Sequence, residues 1–208
     1  MPTQPRHPAL TLIEARASIQ HFDRQHTLDD ACIASLVALA TRAPSAYNLQ
    51  NWRFIAVRSA AAKARLRALA FDQPKVGDAA VCFIICGQLP DASQLPARLQ
   101  PAVEAGWMPA TLPSAWQAAA ASQYADPRQA RDEAVRSASL AAATLMLAAQ
   151  AQGLASAPMT GFDPDGVHRS FGLTPDEIPV MLLAVGRAAN HNGPQKPRRP
   201  LNEVLDLA

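Results

Sequence analysis

The stretch AVCFIIC, residues 80–86, is an uninterrupted apolar run. A run this short is typical of a β-strand that is buried on both faces, and such a strand requires helices on either side of its sheet. Residues 180–185, VMLLAV, show the same pattern. The two runs together predict a sheet that is covered by helices.

Further elements are expected before and between these runs. Thr27 precedes periodic apolar positions, with Asp30 in the third helical position, and predicts a helix over about 28–42. A strand is expected at 52–57, where aromatic and β-branched residues are frequent, and a helix at 62–71.

A long helix is predicted in the second half of the chain. Asp126 and Pro127 place a capping side chain before a first-turn proline, and Gly153 stands where the helix would end. Its segment 134–151 is dominated by alanine and apolar on nearly every face, which predicts burial all round. Two positions are compatible with this pattern, the centre of the core and a subunit interface.

Shorter helices are expected to begin at Asp163-Pro164 and at Thr174-Pro175. Residues 94–116 carry four prolines and two tryptophans without a clean period, so no element is predicted there. Residues 188–208 are rich in proline, asparagine and basic side chains. This tail is too polar to form a core, and we expect it to wrap over another surface.

Length and composition favour one domain, residues 1–208, because 49% of the residues are hydrophobic and 17% are charged. A net charge of +2 with scattered basic residues gives no indication of a nucleic-acid partner. We expect no membrane span, since no apolar run approaches the required length. Residues 1–7 are too polar and proline-rich for a signal peptide, so we expect a cytoplasmic protein.

Three cysteines, Cys32, Cys82 and Cys86, lie in apolar stretches without the close spacing of a zinc or thioredoxin-type site. Buried, reduced thiols are the favoured interpretation. Cys82 and Cys86 would share one face of a strand, which keeps a redox pair as the alternative.

The chain contains no nucleophile elbow, P-loop or GxGxxG motif, and its five histidines do not cluster at metal-ligand spacing. Hydrolytic and metal chemistry are therefore disfavoured, and redox chemistry would need a bound cofactor. Polar and basic residues at both ends of the chain suit a phosphate group. They are Arg16 and Ser18 near the start, and Lys196, Arg198 and Arg199 near the end. A solvated basic tail is the alternative.

Four ordered segments resemble the FMN-dependent nitroreductase family. They are residues 16–23 (RASIQHFD), 43–54 (APSAYNLQNWRF), 153–163 (GLASAPMTGFD) and 196–201 (KPRRPL). They span almost the whole chain in the family's order.

This resemblance implies an α+β fold with a central mixed β-sheet flanked by helices, in a homodimer whose extended C-terminal tail wraps the partner. It also implies an NAD(P)H-dependent FMN oxidoreductase that transfers hydride from NADH or NADPH through bound FMN to an electron-poor small molecule such as a nitroaromatic or a quinone. Enones and small aldehydes remain possible acceptors. A flavin carrier or sensor without efficient turnover is one alternative, and a flavin-free protein whose tail binds a polyanion is another.

The resemblance assigns the cofactor site residue by residue and requires no catalytic side chain, since the chemistry takes place at FMN N5. The predicted phosphate and ribityl contacts are Arg16, Ser18, Lys196 and Arg198. The predicted contacts from the partner subunit are Pro44, Ser45 and Asn48. Gln73 is expected against the edge of the flavin ring, and the backbone of Thr160 and Gly161 beside N5.

Three residues depart from the family pattern. Gln20 replaces the usual basic residue of the first segment, and Ala17 replaces its second arginine; both positions still belong to the predicted cofactor site. Asn51 replaces the usual proline before Trp52. These changes affect the expected substrate and redox potential more than the expected cofactor.

Overall fold

Residues 7–207 are described in the computed structural model of this chain, and within that range they form eight α-helices and one four-stranded sheet. The strands are β1 (Trp52–Val57), β2 (Val81–Gln88), β3 (Ala155–Met159) and β4 (Glu177–Gly186). The helices are α1 (Pro8–Ala15), α2 (Asp30–Ala40), α3 (Ala60–Leu69), α4 (Pro74–Asp78), α5 (Leu95–Glu104), α6 (Leu112–Gln123), α7 (Pro127–Ala151) and α8 (Pro164–Ser170). The predicted α+β class is confirmed.

The sheet has the strand order β1-β2-β4-β3, and all three strand pairs are antiparallel. It differs in this respect from the predicted mixed sheet. Parallel pairing within residues 7–207 is confined to an isolated bridge between Ser18 and Ser156. A buried apolar run indicates that a strand has two covered faces, but it carries no information about strand direction.

The alternating side chains of β2 enter two separate apolar clusters. Cys82, Ile84 and Cys86 pack on the face that is covered by α3, α4 and α8. Phe83 and Ile85 pack on the opposite face against α2 and α7. The apolar run therefore lies between two helical layers, as its sequence predicts.

Capping residues begin or end several of the helices. Asp126 caps α7, Asp163 caps α8, and Gly153 follows α7 with a φ of 72°. Two predictions were wrong. Asp29, rather than Thr27, caps α2 by accepting a hydrogen bond from the Cys32 N–H, and no helix begins at Thr174-Pro175, which turns directly into β4.

The long helix α7 is buried along one side rather than all round, with ten of its 25 residues buried. It packs against α2 and the sheet, while Arg136, Leu140 and Ala143 on one face are exposed. By length and composition α7 could cross a bilayer, contrary to the expectation that no segment reaches that length. Its packing in the core accounts for its apolar composition.

Candidate functional site

The segment that follows α1 is bound to the tail chiefly through the side chain of Asn192. Asn192 Oδ1 accepts hydrogen bonds from the backbone N–H groups of Gln20, at 2.9 Å, and His21, at 3.0 Å. Its Nδ2 donates to the His21 carbonyl at 2.8 Å. These bonds hold the two ends of the described chain together.

A small cavity lies between the two predicted phosphate-binding segments. Ser18, Lys196 and Arg198 line it together with the tail residues Pro194 and Gln195, and its volume is about 120 Å³. Gln195 Nε2 also donates to the Arg16 carbonyl at 2.8 Å. The structure therefore places residues from both ends of the sequence around one site.

Arg16, whose carbonyl is bound by Gln195 of this cavity, carries an unsatisfied donor. Its Nη1 is buried and has no hydrogen-bond partner among residues 7–207. Buried polar atoms are nearly always hydrogen-bonded, so a lone guanidinium nitrogen needs an explanation. An anion with several acceptor oxygens would satisfy it.

A second cavity, of about 160 Å³, is lined by Gln20, His21, Gln73, Pro74 and Lys75. Burial and the nearby charge of Lys196 lower the pKa of Lys75, so the two cavities are close neighbours. We call the polar and cationic residues of the two cavities, together with Arg16, which Gln195 joins to the first cavity, the cationic groove: Arg16, Ser18, Gln20, Gln73, Lys75, Lys196 and Arg198.

One end of the cationic groove meets the loop after β3. Gln73 Nε2 donates a hydrogen bond to the Gly161 carbonyl at 2.8 Å. Phe71 and Asp72, just before Gln73, have positive φ angles of 53° and 56°. Non-glycine residues in this region are strained, and such strain is frequent at functional sites. Thr160 and Gly161 are exposed, as contact with a ligand would require.

Ala17 is half-buried between Arg16 and Ser18. Its methyl side chain offers no donor, so it can contribute to the cationic groove only through its backbone.

The predicted residues Pro44, Ser45 and Asn48 lie in another part of the structure, in the connection from α2 to β1. Tyr47 and Asn48 have positive φ angles of 51° and 58° there. The bend is supported by Ser45 Oγ, which accepts from the Gln50 N–H at 2.9 Å, and by Tyr47, whose hydroxyl donates to Gln123 Oε1 at 2.8 Å.

This bend forms one wall of a larger cavity of about 490 Å³, which we call the aromatic cavity. Its lining residues are Pro44, Ser45, Ala46, Tyr47, Gln123, Tyr124, Glu133, Arg136 and Leu140. None of them lines the cationic groove. The twelve predicted cofactor residues thus divide into two groups, and their contacts with a flavin stay predictions.

Three residues of the site were missed by sequence reasoning. Lys75 follows Gln73 closely and could have been included with it as one segment. Asn192 belongs to an Asn-Gly pair that is typical of a turn, and it follows His191, whose φ is 72°. No local pattern marks Gln195, because its partner at Arg16 is distant in sequence.

The sequence leaves two roles open for Trp107, Met108 and Trp116 of the irregular segment 94–116, which are a cover over the site and packing in the core. Met108 and Trp116 pack against a small apolar cluster that includes Leu49 and Leu99. Trp107 is 84% exposed. The core interpretation therefore holds for Met108 and Trp116.

The strand cysteines do not form a redox pair. Cys82 and Cys86 are free and fully buried, and burial raises the pKa of each thiol to about 12. Four residues of strand separate them by about 13 Å along the strand, too far for a disulfide.

The chain matches the Nitroreductase family model over residues 13–187. It therefore belongs to the nitroreductase family, which confirms the resemblance carried by its four motifs.

Individual relatives agree with this assignment. The chain is 31% identical over 198 residues to YodC of Bacillus subtilis (strain 168), whose name describes it as an NAD(P)H nitroreductase, with 94% of this chain and 96% of YodC covered. It is 34% identical over 204 residues to an NADH dehydrogenase of Thermus thermophilus, with 98% and 97% covered.

A solved structure shows the same architecture. A nitroreductase from Exiguobacterium sibiricum 255-15, crystallised in complex with FMN, superimposes with a TM-score of 0.88 at 30% identity. The similarity covers 99% of this chain and 100% of that one.

Proposed function

We propose that this chain, an NAD(P)H-dependent oxidoreductase of the nitroreductase family, binds FMN in the cationic groove and uses it to reduce an electron-poor organic acceptor such as a nitroaromatic or a quinone. The observation that carries the proposal is the partnerless Arg16 Nη1, on a residue whose carbonyl is bound by Gln195 of the cavity that Lys196 and Arg198 also line. Bound FMN would supply the chemistry, the passage of a hydride from the nicotinamide to the acceptor in two stages.

The groove residues fit a phosphate. Arginine presents a planar fork of donors to phosphate oxygens, and lysine adds a point charge. Ser18 is exposed in the same cavity and can donate through its hydroxyl. Arg16, Ser18, Lys196 and Arg198 would hold the phosphate end of the cofactor.

The groove residues also suit the ring end. The hydrogen bond from Gln73 to Gly161 fixes the loop that would face the ring. Gln20 lacks the positive charge that is usual at its position, but Lys75 lines the same cavity and supplies one. A cation is therefore present to stabilise negative charge on a reduced ring.

We further propose that the active unit is a homodimer. Helices α1 and α2 both pack on α7, and each of the three exposes large apolar side chains, namely Leu10, Ile13, Leu39 and Leu140. The tail exposes Leu201, Val204, Leu205 and Leu207. A second copy would cover these surfaces, and a two-fold axis would give two equivalent sites in which Pro44, Ser45 and Asn48 meet the partner's flavin.

We also expect a single domain in the cytoplasm, without a nucleic-acid or membrane partner. The three free thiols support a reducing compartment.

Absorption spectroscopy of the purified protein tests the cofactor and its turnover. We expect a flavin spectrum, or its appearance after FMN is added, and rapid bleaching by NADH or NADPH. A protein that takes up FMN but is not reduced would support the carrier or sensor alternative. A protein that takes up no FMN would reject the proposal.

Replacing Lys196 and Arg198 together with alanine tests the phosphate assignment. Each lost hydrogen bond to a charged group costs about 1.5–3 kcal/mol, so the Kd for FMN should rise about tenfold or more. Arg199→Ala is the matched control, because Arg199 is paired with Glu203 inside the tail at 3.0 Å. Equal FMN affinity in the double variant and the control would contradict the assignment.

Mixed dimers test the shared site. Subunits with Asn48→Ala are combined with subunits with Arg198→Ala, each variant having been shown to be inactive alone. One site of each mixed dimer then has both halves intact, so activity should return. A monomeric mass with full FMN occupancy would exclude the dimer, and no recovery despite proven subunit exchange would count against these two residues.

A further inference from the structure

The aromatic cavity contains an ion pair that the proposed FMN site does not use. Glu133 on α7 is 2% exposed. Its carboxylate accepts hydrogen bonds from Ser137 Oγ, at 2.6 Å, and from Arg136 Nη1. The Arg136 side chain is 60% exposed, whereas that of Glu133 is 3% exposed. The buried carboxylate therefore holds an accessible guanidinium in the wall of the cavity.

This pairing leaves part of Arg136 available to a ligand. A guanidinium has five N–H donors, and the bond to Glu133 uses Nη1, so other N–H groups remain for a second oxyanion. Two parallel N–H bonds match a carboxylate well. Because Glu133 and Ser137 already fix the ion pair, Arg136 loses less side-chain entropy when a ligand binds.

Tyr124 supplies a second donor beside this pair. Its hydroxyl oxygen is buried and makes no hydrogen bond of ordinary geometry among residues 7–207, but it lies close enough to the Glu133 carboxylate for a hydrogen bond to that group to contribute to its raised pKa. Burial, followed by the charge of Glu133, raises the pKa of Tyr124 to about 12. The hydroxyl is therefore protonated at neutral pH and can donate to an oxygen atom of a ligand.

The rest of the lining suits a flat ring. Tyr47 packs edge-to-face on Tyr124, with ring centroids 6.3 Å apart, and on Trp116, at 5.9 Å. Pro44 and Leu140 add apolar surface to the cavity. A volume of about 490 Å³ is within the range of small-molecule sites.

We propose that the aromatic cavity binds the electron acceptor and selects planar aromatic acceptors that carry an oxyanion substituent such as a carboxylate. Arg136 is the specificity-determining residue, and Glu133 is the residue that positions it. This inference rests on the proposed function, because Pro44 and Ser45 belong both to this cavity and to the predicted partner-subunit half of the flavin site.

The test compares two acceptors that differ in charge, 4-nitrobenzoate and 4-nitrobenzamide. The ratio of their kcat/KM values is measured for the unmodified enzyme, for Arg136→Gln and for Arg131→Gln, an exposed arginine on the same helix. We expect the ratio to fall about tenfold in Arg136→Gln, the effect of one charge-assisted hydrogen bond. Arg131→Gln should leave the ratio unchanged.

A double variant controls for the buried charge that Arg136→Gln leaves behind. Glu133→Gln combined with Arg136→Gln removes both charges, and the ratio should again fall about tenfold if the guanidinium binds the carboxylate. A ratio that stays unchanged in both variants would overturn the proposal. Conversion of Arg136→Gln to a monomer would also overturn it, because Arg136 would then hold the two copies together rather than bind the acceptor.

Direct binding separates this inference from the proposed function. Quenching of intrinsic fluorescence by 4-nitrobenzoate is measured on the same proteins before NAD(P)H is added. Binding that depends on Arg136 supports the cavity even if the protein shows no flavin reduction. Binding that is equal in the unmodified protein and in Arg136→Gln overturns the cavity assignment even if FMN reduction is normal.

Discussion

We expect Gly87→Ala to destabilise the protein strongly, because β2 and α7 meet at this residue backbone to backbone. A Cβ atom at Gly87 would lie 2.4 Å from the Ala134 carbonyl oxygen and 2.6 Å from its carbonyl carbon. Contacts this short do not occur, and no side-chain rotation can relieve them. The helix must therefore move away from the strand.

Overpacking of a core costs about 1–3 kcal/mol, and a rigid backbone neighbour places this case at about 3 kcal/mol. For a chain of this length each kcal/mol lowers Tm by about 2–4 °C, so a decrease of about 6–12 °C is expected. Thermal unfolding is followed by circular dichroism at fixed protein and FMN concentrations, since ligand binding and oligomerisation also shift Tm.

Gly77→Ala is the matched control. Its added Cβ would meet Arg67 Cδ at 3.7 Å, an ordinary contact with a flexible side chain. Gly77 lies in α4, where alanine is favoured over glycine by about 1 kcal/mol, so Tm should rise slightly. A Tm for Gly87→Ala that equals or exceeds that of Gly77→Ala would refute the close contact between β2 and α7.

Three further predictions concern the groove, the kinetics and the cysteines. FMN affinity should fall as pH rises through the pKa of Lys75. Burial and the charge of Lys196 lower this pKa, so the loss of affinity should begin below the pH expected for an ordinary lysine. Kd values measured across alkaline pH for the unmodified protein and for Lys75→Gln test this, and identical profiles would contradict it. NAD(P)H and a quinone should give parallel double-reciprocal lines if both reach the same flavin face through one cleft, whereas intersecting lines would indicate a ternary complex and contradict a shared cleft. Cys82 and Cys86 should resist alkylation in the native protein at neutral pH, because burial raises the pKa of each thiol to about 12. Alkylation is measured by mass spectrometry in the native and the denatured protein. If either cysteine is modified equally readily in both, the thiols are accessible and the prediction is wrong.

Sequence patterns predicted the elements that are determined by local sequence. The strand predicted at 52–57 has the bounds of β1, and the two buried apolar runs lie within or overlap β2 and β4. The aspartate-proline pairs before α7 and α8 gave the right helix starts, because capping is local chemistry. These features depend on neighbours within a few residues.

The missed elements are those in which tertiary contacts override local preference. β3 has no β-branched residue and contains Pro158, a composition that disfavours a strand, but it lies at the edge of the sheet, where proline is tolerated. α5 contains Pro101 within its length, and it packs on α6 around Leu99. Burial of these elements compensates for a sequence that local rules would leave irregular.

The cationic groove and the aromatic cavity also differ in how far they could be predicted from the sequence. The cationic groove could be predicted from ordered motifs, although the bonds that assemble it, from Asn192 and Gln195 to the first segment, join residues more than 170 positions apart. The Arg136 pair could not be predicted, because a helix that is apolar on most faces gives no indication that Glu133 is buried. The Glu133 carboxylate is bound by Ser137 one turn later and lies near Tyr124, which follows α6. The residues that we predict to bind the cofactor are thus found in the family's motifs, whereas the residues that we propose to select the acceptor belong to this chain's own packing.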